Sequence, residues 1–176
     1  MTEKSHIKYK ICLLGDGAVG KTSLIRRFVL DLFDDSYIQT IGTKISKKDI
    51  KLVLPKEDRE ILIQFIIWDI MGHHKAEALN PIYFKHTAGG LIVSDTTRIE
   101  TLYSLSDWVD LLFKESGKVP LLFLGNKKDK EGEFGFNELK EKASEFGAPA
   151  FMTSAKTGEN VEAVFETLGT MLFQEQ

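Results

Sequence analysis

The sequence predicts a three-layer α/β fold, in which helices cover both faces of a mostly parallel six-stranded sheet. Four short apolar runs are bounded by Gly, Pro or Asn and are typical of buried strands: Tyr9 to Leu14, Leu91 to Ser94, Leu121 to Leu124 and Ala150 to Met152. Segments with helical spacing lie between them. Strands that alternate with helices favour right-handed crossovers, and therefore parallel pairing.

Apolar residues that recur three or four positions apart predict the helices. Such residues form one stripe that faces the sheet, while the polar residues face water. The stripes are Leu24, Ile25, Phe28, Val29 and Leu32; Leu102, Leu105, Val109 and Leu112; Leu139, Ala143 and Phe146; and Val161, Val164, Phe165 and Leu168.

The segment from Thr43 to Asp69 departs from this alternation. Two long β-like runs, Ile45 to Leu54 and Glu60 to Trp68, meet at the charged turn Pro55 to Arg59 with no helix between them. We therefore expect a hairpin that supplies one antiparallel edge strand to the sheet.

Length and composition are typical of a single folded domain, which we place at residues 1–176. The chain has 176 residues, of which 43% are hydrophobic and 28% charged. Its net charge of -3 gives no general attraction to nucleic acid or to an anionic membrane, so we expect no nucleic-acid partner. The single cysteine, Cys12, lies in an apolar run, where it fits a core position and a reducing cytosol.

Targeting signals are not visible in the sequence. The first ten residues are polar, no apolar run approaches the ~20 residues of a membrane span, and the last four residues contain no cysteine for prenylation. We expect a cytoplasmic monomer, which associates with a membrane only if a lipidated C-terminal tail is missing from this chain.

A phosphate-binding loop is predicted between the first strand and the first helix. Gly15 to Thr22 reads Gly-Asp-Gly-Ala-Val-Gly-Lys-Thr, the full G-x-x-x-x-G-K-[ST] pattern in its required context. Inward-pointing amides and the helix N-terminus favour a polyphosphate, Lys21 adds a point charge, and the Thr22 hydroxyl is a magnesium ligand. The predicted binding residues here are Asp16, Gly17, Ala18, Val19, Gly20, Lys21, Thr22 and Ser23.

A second motif predicts which nucleotide base the site selects. Asn126-Lys127-Lys128-Asp129 follows the strand Leu121 to Leu124, at the same edge of the sheet. A carboxylate at Asp129 accepts two hydrogen bonds from the ring N–H and the exocyclic amine of guanine, whereas adenine offers no such pair. The loop Ser154-Ala155-Lys156 follows the last strand and offers backbone amides to the base from the other side. An ATP-using protein with the same phosphate loop is the alternative.

Together these motifs resemble those of the Ras superfamily of small GTPases, most closely its Rab-like branch. The likeness runs from Lys8 to Phe173 and also includes Thr40-Ile41-Gly42 and Trp68-Asp69-Ile70-Met71-Gly72 at the places of the two switch segments. The resemblance implies a P-loop GTPase fold, GTP or GDP with Mg²⁺ as cofactors, and a guanine-nucleotide switch. It also implies an exchange factor, an activating protein and effectors that bind the switch segments.

The resemblance assigns further roles. Phe33 would stack on guanine, Thr40 and Asp69 would join Thr22 around magnesium, and Gly72 would offer its amide to the γ-phosphate. Effectors would contact an apolar patch, for which the matching residues are Ile45, Trp68 and Tyr83. Ile45 replaces the usual aromatic residue of that patch.

The second switch departs from the family pattern Asp-Thr-Ala-Gly-Gln-Glu. The chain has His73 and His74 where the pattern has Gln and Glu, and that Gln orients the attacking water. His73 can hydrogen-bond a water through either ring nitrogen, so the predicted catalytic residues are His73, Lys21 and Gly72. The alternative is a hydrolysis-deficient, permanently GTP-loaded binding module. Because Arg26 and Arg27 lie on the first helix, we expect an activating protein to supply any catalytic arginine.

Overall fold

The computed structural model describes residues 6–36, 40–54, 59–72 and 79–176, and it contains one six-stranded sheet in the order β2-β3-β1-β4-β5-β6. β2 is an edge strand and pairs antiparallel with β3, whereas the other neighbouring pairs are parallel. This confirms the predicted mixed sheet and its hairpin; the turn at residues 55–58 lies outside the described residues. The strands are β1 His6–Leu14, β2 Thr43–Leu54, β3 Arg59–Ile70, β4 Gly89–Asp95, β5 Leu121–Asn126 and β6 Ala150–Met152.

The helices follow the predicted stripes, with changes at their ends. α1 stops before Leu32 because Asp31 adopts a left-handed conformation (φ 53°) and its N–H bonds back to the last turn. The stripe from Leu102 to Leu112 is divided at Ser104 between two helices. The helices are α1 Lys21–Leu30, α2 Glu100–Tyr103, α3 Leu105–Ser116, α4 Phe136–Ser144 and α5 Val161–Gln174, and a 3-10 turn spans Pro81–Tyr83.

Two apolar layers bury the two faces of the sheet. Alternate residues of β1 enter opposite layers: Ile11 and Leu13 pack with α1 and α5, whereas Cys12 and Leu14 pack with α2, α3 and α4. Helices therefore cover both faces, as predicted. Cys12 is fully buried, and its Sγ lies 3.2 Å from Thr87 Oγ1.

The topology places the polar strand ends together. The parallel strands end at Leu14, Ile70, Asp95, Asn126 and Met152, so these residues share one edge of the sheet. Ligands of open α/β sheets bind at this carboxyl edge. Within the described residues, every helix is too short or too polar to cross a bilayer.

Candidate functional site

A cavity of about 260 Å³ opens at the carboxyl edge of the sheet. Its walls come from the β1–α1 loop, from the segments before β2 and after β3, and from the loops after β5 and β6. Most of the residues that the sequence predicts for the site line it: Gly17, Ala18, Gly20, Lys21, Thr22, Ser23, Phe33, Thr40, Gly72, Asn126, Lys127, Asp129, Ala155 and Lys156.

Three side chains hold the backbone of the β1–α1 loop: Arg98, which does not line the cavity, and Asn126 and Lys127, which do. They donate to three consecutive carbonyl groups, so the trans peptide planes turn the following N–H groups of Ala18, Val19 and Gly20 to the opposite side. Gly17, Ala18 and Gly20 line the cavity, so we expect these N–H groups to face it and to offer a concavity suited to an anion. The bonds are Arg98 Nη2 to Gly17 O at 2.8 Å, Lys127 Nζ to Ala18 O at 2.8 Å and Asn126 Nδ2 to Val19 O at 3.0 Å.

Lys21 supplies the positive charge of the loop. Its Nζ donates to Gly15 O at 2.8 Å and to Asp16 O at 2.9 Å, and the residue is buried. Burial lowers the pKa of Lys21 to about 8, and the neighbouring carboxylates of Asp69 and Asp16 limit this decrease. An anionic ligand in the cavity would stabilise the ammonium form further.

The Asp16 side chain faces away from the cavity. Its carboxylate accepts hydrogen bonds from Ser104 Oγ at 2.8 Å and from Trp108 Nε1 at 2.8 Å. Val19 is buried beneath the loop, with its carbonyl bound to Asn126. The side chain of Asp16 therefore fastens the loop to α3. Only the backbone of Asp16 is in a position to take part in the predicted binding site.

Sequence reasoning missed the support that Asp95 and Arg98 give to this loop. Asp95 ends β4, is buried, and pairs with Arg98 Nε at 3.2 Å and with Lys127 Nζ at 2.7 Å. Burial raises the pKa of Asp95, but hydrogen bonds from Lys127 and Thr97 outweigh it, so the pKa is lowered overall. The available signal was the place of Asp95 at the carboxyl end of a buried strand.

Oxygen atoms of the predicted metal ligands lie together. Thr22 Oγ1 is 2.9 Å from Thr40 Oγ1 and 2.5 Å from Asp69 Oδ2. Asp69 is buried, burial raises its pKa, and its Oδ1 has no hydrogen-bond partner within the described residues. Hydroxyl and carboxylate oxygens are the donors that Mg²⁺ prefers, and a cation would satisfy the unpaired oxygen. These residues fit a magnesium ion.

The segment after β3 rests on the β1–α1 loop at Gly72. A Cβ atom there would lie 2.4 Å from the Asp16 carbonyl carbon and 2.5 Å from Lys21 Nζ, so only glycine fits. Gly72 and Lys21, two of the three predicted catalytic residues, are therefore adjacent. The third, His73, lies outside the described residues, as does His74.

The loops after β5 and β6 are bonded to each other. Ser154 Oγ donates to Asp129 Oδ1 at 2.7 Å, and this orients the carboxylate predicted to read the base. Asn126 Oδ1 accepts from Thr153 Oγ1 at 3.1 Å and from the Ala155 amide at 3.3 Å. Ser154 thus contributes by holding Asp129, since its own side chain does not line the cavity.

The predicted apolar patch is brought together beside the site. Ile45 pairs with Trp68 across the β2–β3 ladder, and the Trp68 and Tyr83 rings are 6.4 Å apart. Ile45 is 50% exposed. Lys10 Nζ lies 3.9 Å from the centre of the Trp68 ring, which adds a cation–π contact to the patch.

Comparison with known proteins finds one matching family model and similar proteins in human and yeast. Residues 10–174 match the model of the Ras family. The chain is 35% identical to the human Ras-related protein Rab-31, over 93% of this chain and 82% of that protein. It is 32% identical to the GTP-binding protein YPT52 of Saccharomyces cerevisiae, over 95% of this chain and 82% of that protein.

Proposed function

The chain belongs to the Ras family of small GTPases, in its Rab-like branch, and we propose that it is a switch whose GTP-bound state is ended by slow hydrolysis. GTPases of this family bind GTP and GDP with Mg²⁺ and act with regulators and effectors in membrane traffic. The observation that supports the proposal is one cavity lined by the glycine-rich β1–α1 loop, by Asp129 and by Thr22 and Thr40, whose hydroxyl groups lie beside the Asp69 carboxylate.

Nucleotide binding divides between the two ends of the cavity. The turned-in amides of the β1–α1 loop and the Lys21 ammonium bind the phosphates. At the other end, Asp129 accepts from the guanine ring N–H and amine while Phe33 covers the face of the base. Thr22, Thr40 and Asp69 would hold Mg²⁺, which when bound neutralises charge on the phosphate oxygens.

Hydrolysis is an in-line displacement at the γ-phosphorus. The oxygen of a water forms the new bond, the bond to the bridging oxygen breaks, and its electron pair leaves with GDP. Lys21 and the Gly72 amide stabilise the charge on the transferring group, and a water proton ends on the released phosphate. His73 orients the water, and because it replaces Gln we propose a low intrinsic rate.

The switch follows from the place of Thr40 and Gly72. Both would contact the γ-phosphate side of the nucleotide, so its loss releases two segments at once. These segments are neighbours, because the Met71 amide donates to Gly42 O at 3.1 Å. Effectors would read the resulting change at the patch of Ile45, Trp68 and Tyr83, and an activating protein would supply an arginine.

A second candidate is a GTP-loaded scaffold that does not hydrolyse its nucleotide. The replacement of the water-orienting Gln by His73 is the observation that favours it. In that case Thr40 and Gly72 would remain engaged, and the effector-binding shape would be permanent.

Phosphate release separates these candidates. Purified protein is loaded with GTP and Mg²⁺, and single-turnover release is followed for the native chain, His73→Gln and His73→Ala, with His6→Gln as an exposed histidine control. We expect slow native release, a further decrease in the Ala variant and no change in the control. Release that is absent in the native protein and restored by Gln would favour the scaffold.

The physical state and the location of the protein are also proposals. We propose a cytoplasmic monomer that takes no nucleic acid and reaches a membrane only through a lipidated segment. Gel filtration tests whether the protein is a monomer. Sedimentation with anionic vesicles tests whether it binds a membrane without a lipidated segment. Binding of this chain to vesicles without any lipid modification would contradict it.

A further inference from the structure

We propose that Arg27 of α1 is a positioning residue for guanine recognition, which acts through two carbonyl groups of the loop after β6. The inference rests on the proposed function, since it concerns how the same cavity selects its base. Arg27 itself does not line the cavity.

One guanidinium group holds two successive carbonyls. Arg27 Nε donates to Ala155 O at 2.8 Å and Nη2 donates to Lys156 O at 2.6 Å. Arginine presents these donors in a rigid planar fork, which fixes direction as well as distance. The side chain is only 19% exposed, and its Cδ lies 3.7 Å from the place of a Cβ on Gly158, so its stem packs against the same loop.

Because the peptide bond is planar, fixing the Ala155 carbonyl also fixes the direction of the Lys156 N–H group. Ala155 O points at Arg27, outside the cavity, so the trans plane turns the Lys156 N–H to the opposite side. Ala155 and Lys156 both line the cavity, and this amide therefore faces the place of the base. The acceptor that guanine offers to an N–H donor on its six-membered ring edge is the carbonyl oxygen at C6.

Arg27 also connects the two ends of the site. It lies on α1, whose first residue is Lys21 and whose N-terminus begins at the phosphate-binding loop. The base loop is thereby held at a fixed place relative to the phosphate end. A third contact, from Arg27 Nη1 to Asp31 Oδ1 at 3.1 Å, is a surface ion pair with a carboxylate that is 90% exposed, and such pairs contribute little.

Two nucleotide analogues separate the contacts at the base. In 6-thio-GDP a sulfur replaces the oxygen at C6, and the ring N–H and amine that Asp129 would bind are kept. In IDP the amine is missing and the oxygen at C6 is kept. Dissociation constants for GDP, 6-thio-GDP and IDP are measured by competition with a fluorescent GDP in Mg²⁺, for native protein, Arg27→Ala and Arg27→Lys.

In native protein we expect GDP to bind more tightly than either analogue. The preference for GDP is the dissociation constant of the analogue divided by that of GDP. Arg27→Ala should lower this ratio for 6-thio-GDP by about fivefold, because the Lys156 amide is no longer held in the direction of the oxygen at C6. The corresponding ratio for IDP should stay within about twofold of its native value. It depends on Asp129, which is held by Ser154, and the hydrogen bonds that fix Ser154 do not involve Arg27. Arg27→Lys keeps the charge without the fork, so an intermediate narrowing is expected.

Two variants serve as controls. Asp31→Asn removes the surface ion pair and keeps the carbonyl contacts, and asparagine tolerates the φ of 53° at this position. Lys142→Ala removes a cation on α4 whose side chain is also 19% exposed. Neither should change any of the nucleotide preferences.

Several results would overturn the inference. An equal loss of affinity for all three nucleotides in Arg27→Ala would show a purely structural role, and unchanged preferences would show no role. If Arg27→Ala does not fold, a folded Arg27→Lys with native preferences is decisive against it. A native protein that binds no guanine nucleotide would instead overturn the proposed function.

Discussion

Arg98, which does not line the cavity, and Lys127, which does, both help to orient the backbone of the phosphate-binding loop. Each donates to one carbonyl of the phosphate-binding loop, and both pair with the same buried carboxylate, Asp95. The loop is therefore held by a connected set of charges. We expect that removing Arg98 weakens nucleotide binding, although its own side chain does not line the cavity.

Arg98→Ala should accelerate the release of GDP. The change removes the donor to Gly17 O and leaves the loop carbonyl to water, and a hydrogen bond from a charged group contributes about 1.5 to 3 kcal/mol, so a tenfold or greater increase is expected. Stopped-flow displacement of a fluorescent GDP measures it. Glu100→Gln is the control, because Glu100 is an exposed partner of Arg98 at 4.0 Å. A native release rate in Arg98→Ala would contradict the role of this residue.

Asp95 should contribute stability that depends on pH. Its pKa is lowered in the folded protein, so the contribution is present above the unfolded pKa of about 3.9 and is lost as the pH falls through the folded pKa. The free energy of unfolding in urea should be lower for Asp95→Asn than for native protein by about 1.5 to 3 kcal/mol at pH 7, and the difference should shrink towards pH 3. Asp110→Asn, at an exposed carboxylate of α3, should show neither effect. A difference that is constant with pH would argue against the ion pairs.

At the scale of elements, periodicity predicted which segments are buried and not where each one stops. The stripe of Leu102 to Leu112 is continuous in sequence, yet the chain forms two helices, with Ser104 between them bonded to Asp16. Similarly, Leu32 continues the stripe of α1 although Asp31 has already closed the helix. Helix ends depend on backbone angles and on distant partners, which the spacing of apolar residues does not report.

Phe28 of α1 and Phe165 of α5 join these helices over the sheet. Their rings are stacked with centroids 3.8 Å apart, and both residues are buried. Phe165→Ala should destabilise the protein by about 3 to 5 kcal/mol, because it removes apolar contacts and leaves a cavity. Chemical unfolding measures the change. Phe136→Ala, at a phenylalanine that is 45% exposed, is the matched control, and equal losses in the two variants would contradict the packing of this layer.

At the scale of the whole molecule, topology explains why so much of the site could be predicted. Parallel strands that alternate with helices bring their carboxyl ends to one edge, so motifs that follow strands must converge there. The direction of the Asp16 carboxylate and the bond from Arg98 to Gly17 O could not be derived in this way. They depend on how α2 and α3 pack beside the loop, and a linear pattern does not contain that distance.

Removal of the metal should be visible in the stability of the whole chain. A ligand present at about a thousand times its dissociation constant stabilises the folded state by about 4 kcal/mol, so chelation by EDTA in the presence of GDP should lower the melting temperature by several degrees. Differential scanning fluorimetry measures it, with Mg²⁺ restored as the reversal. Asp69→Asn removes one of the three proposed protein ligands, so its melting temperature should differ less between Mg²⁺ and EDTA than that of the native protein. Equal melting of native protein in EDTA and Mg²⁺ would exclude Mg²⁺ as a stabilising partner of the nucleotide complex.

The ladder between β2 and β3 continues to the residues that flank Thr40 and Gly72. Thr43 pairs with Ile70, and the next bond joins the Met71 amide to Gly42 O. Because this hydrogen bond joins the segment of Thr40 directly to the segment of Gly72, a movement of one segment should shift the other. An environment-sensitive dye attached to a cysteine introduced by Ile41→Cys, at a position that is 90% exposed, should therefore respond to changes at either segment.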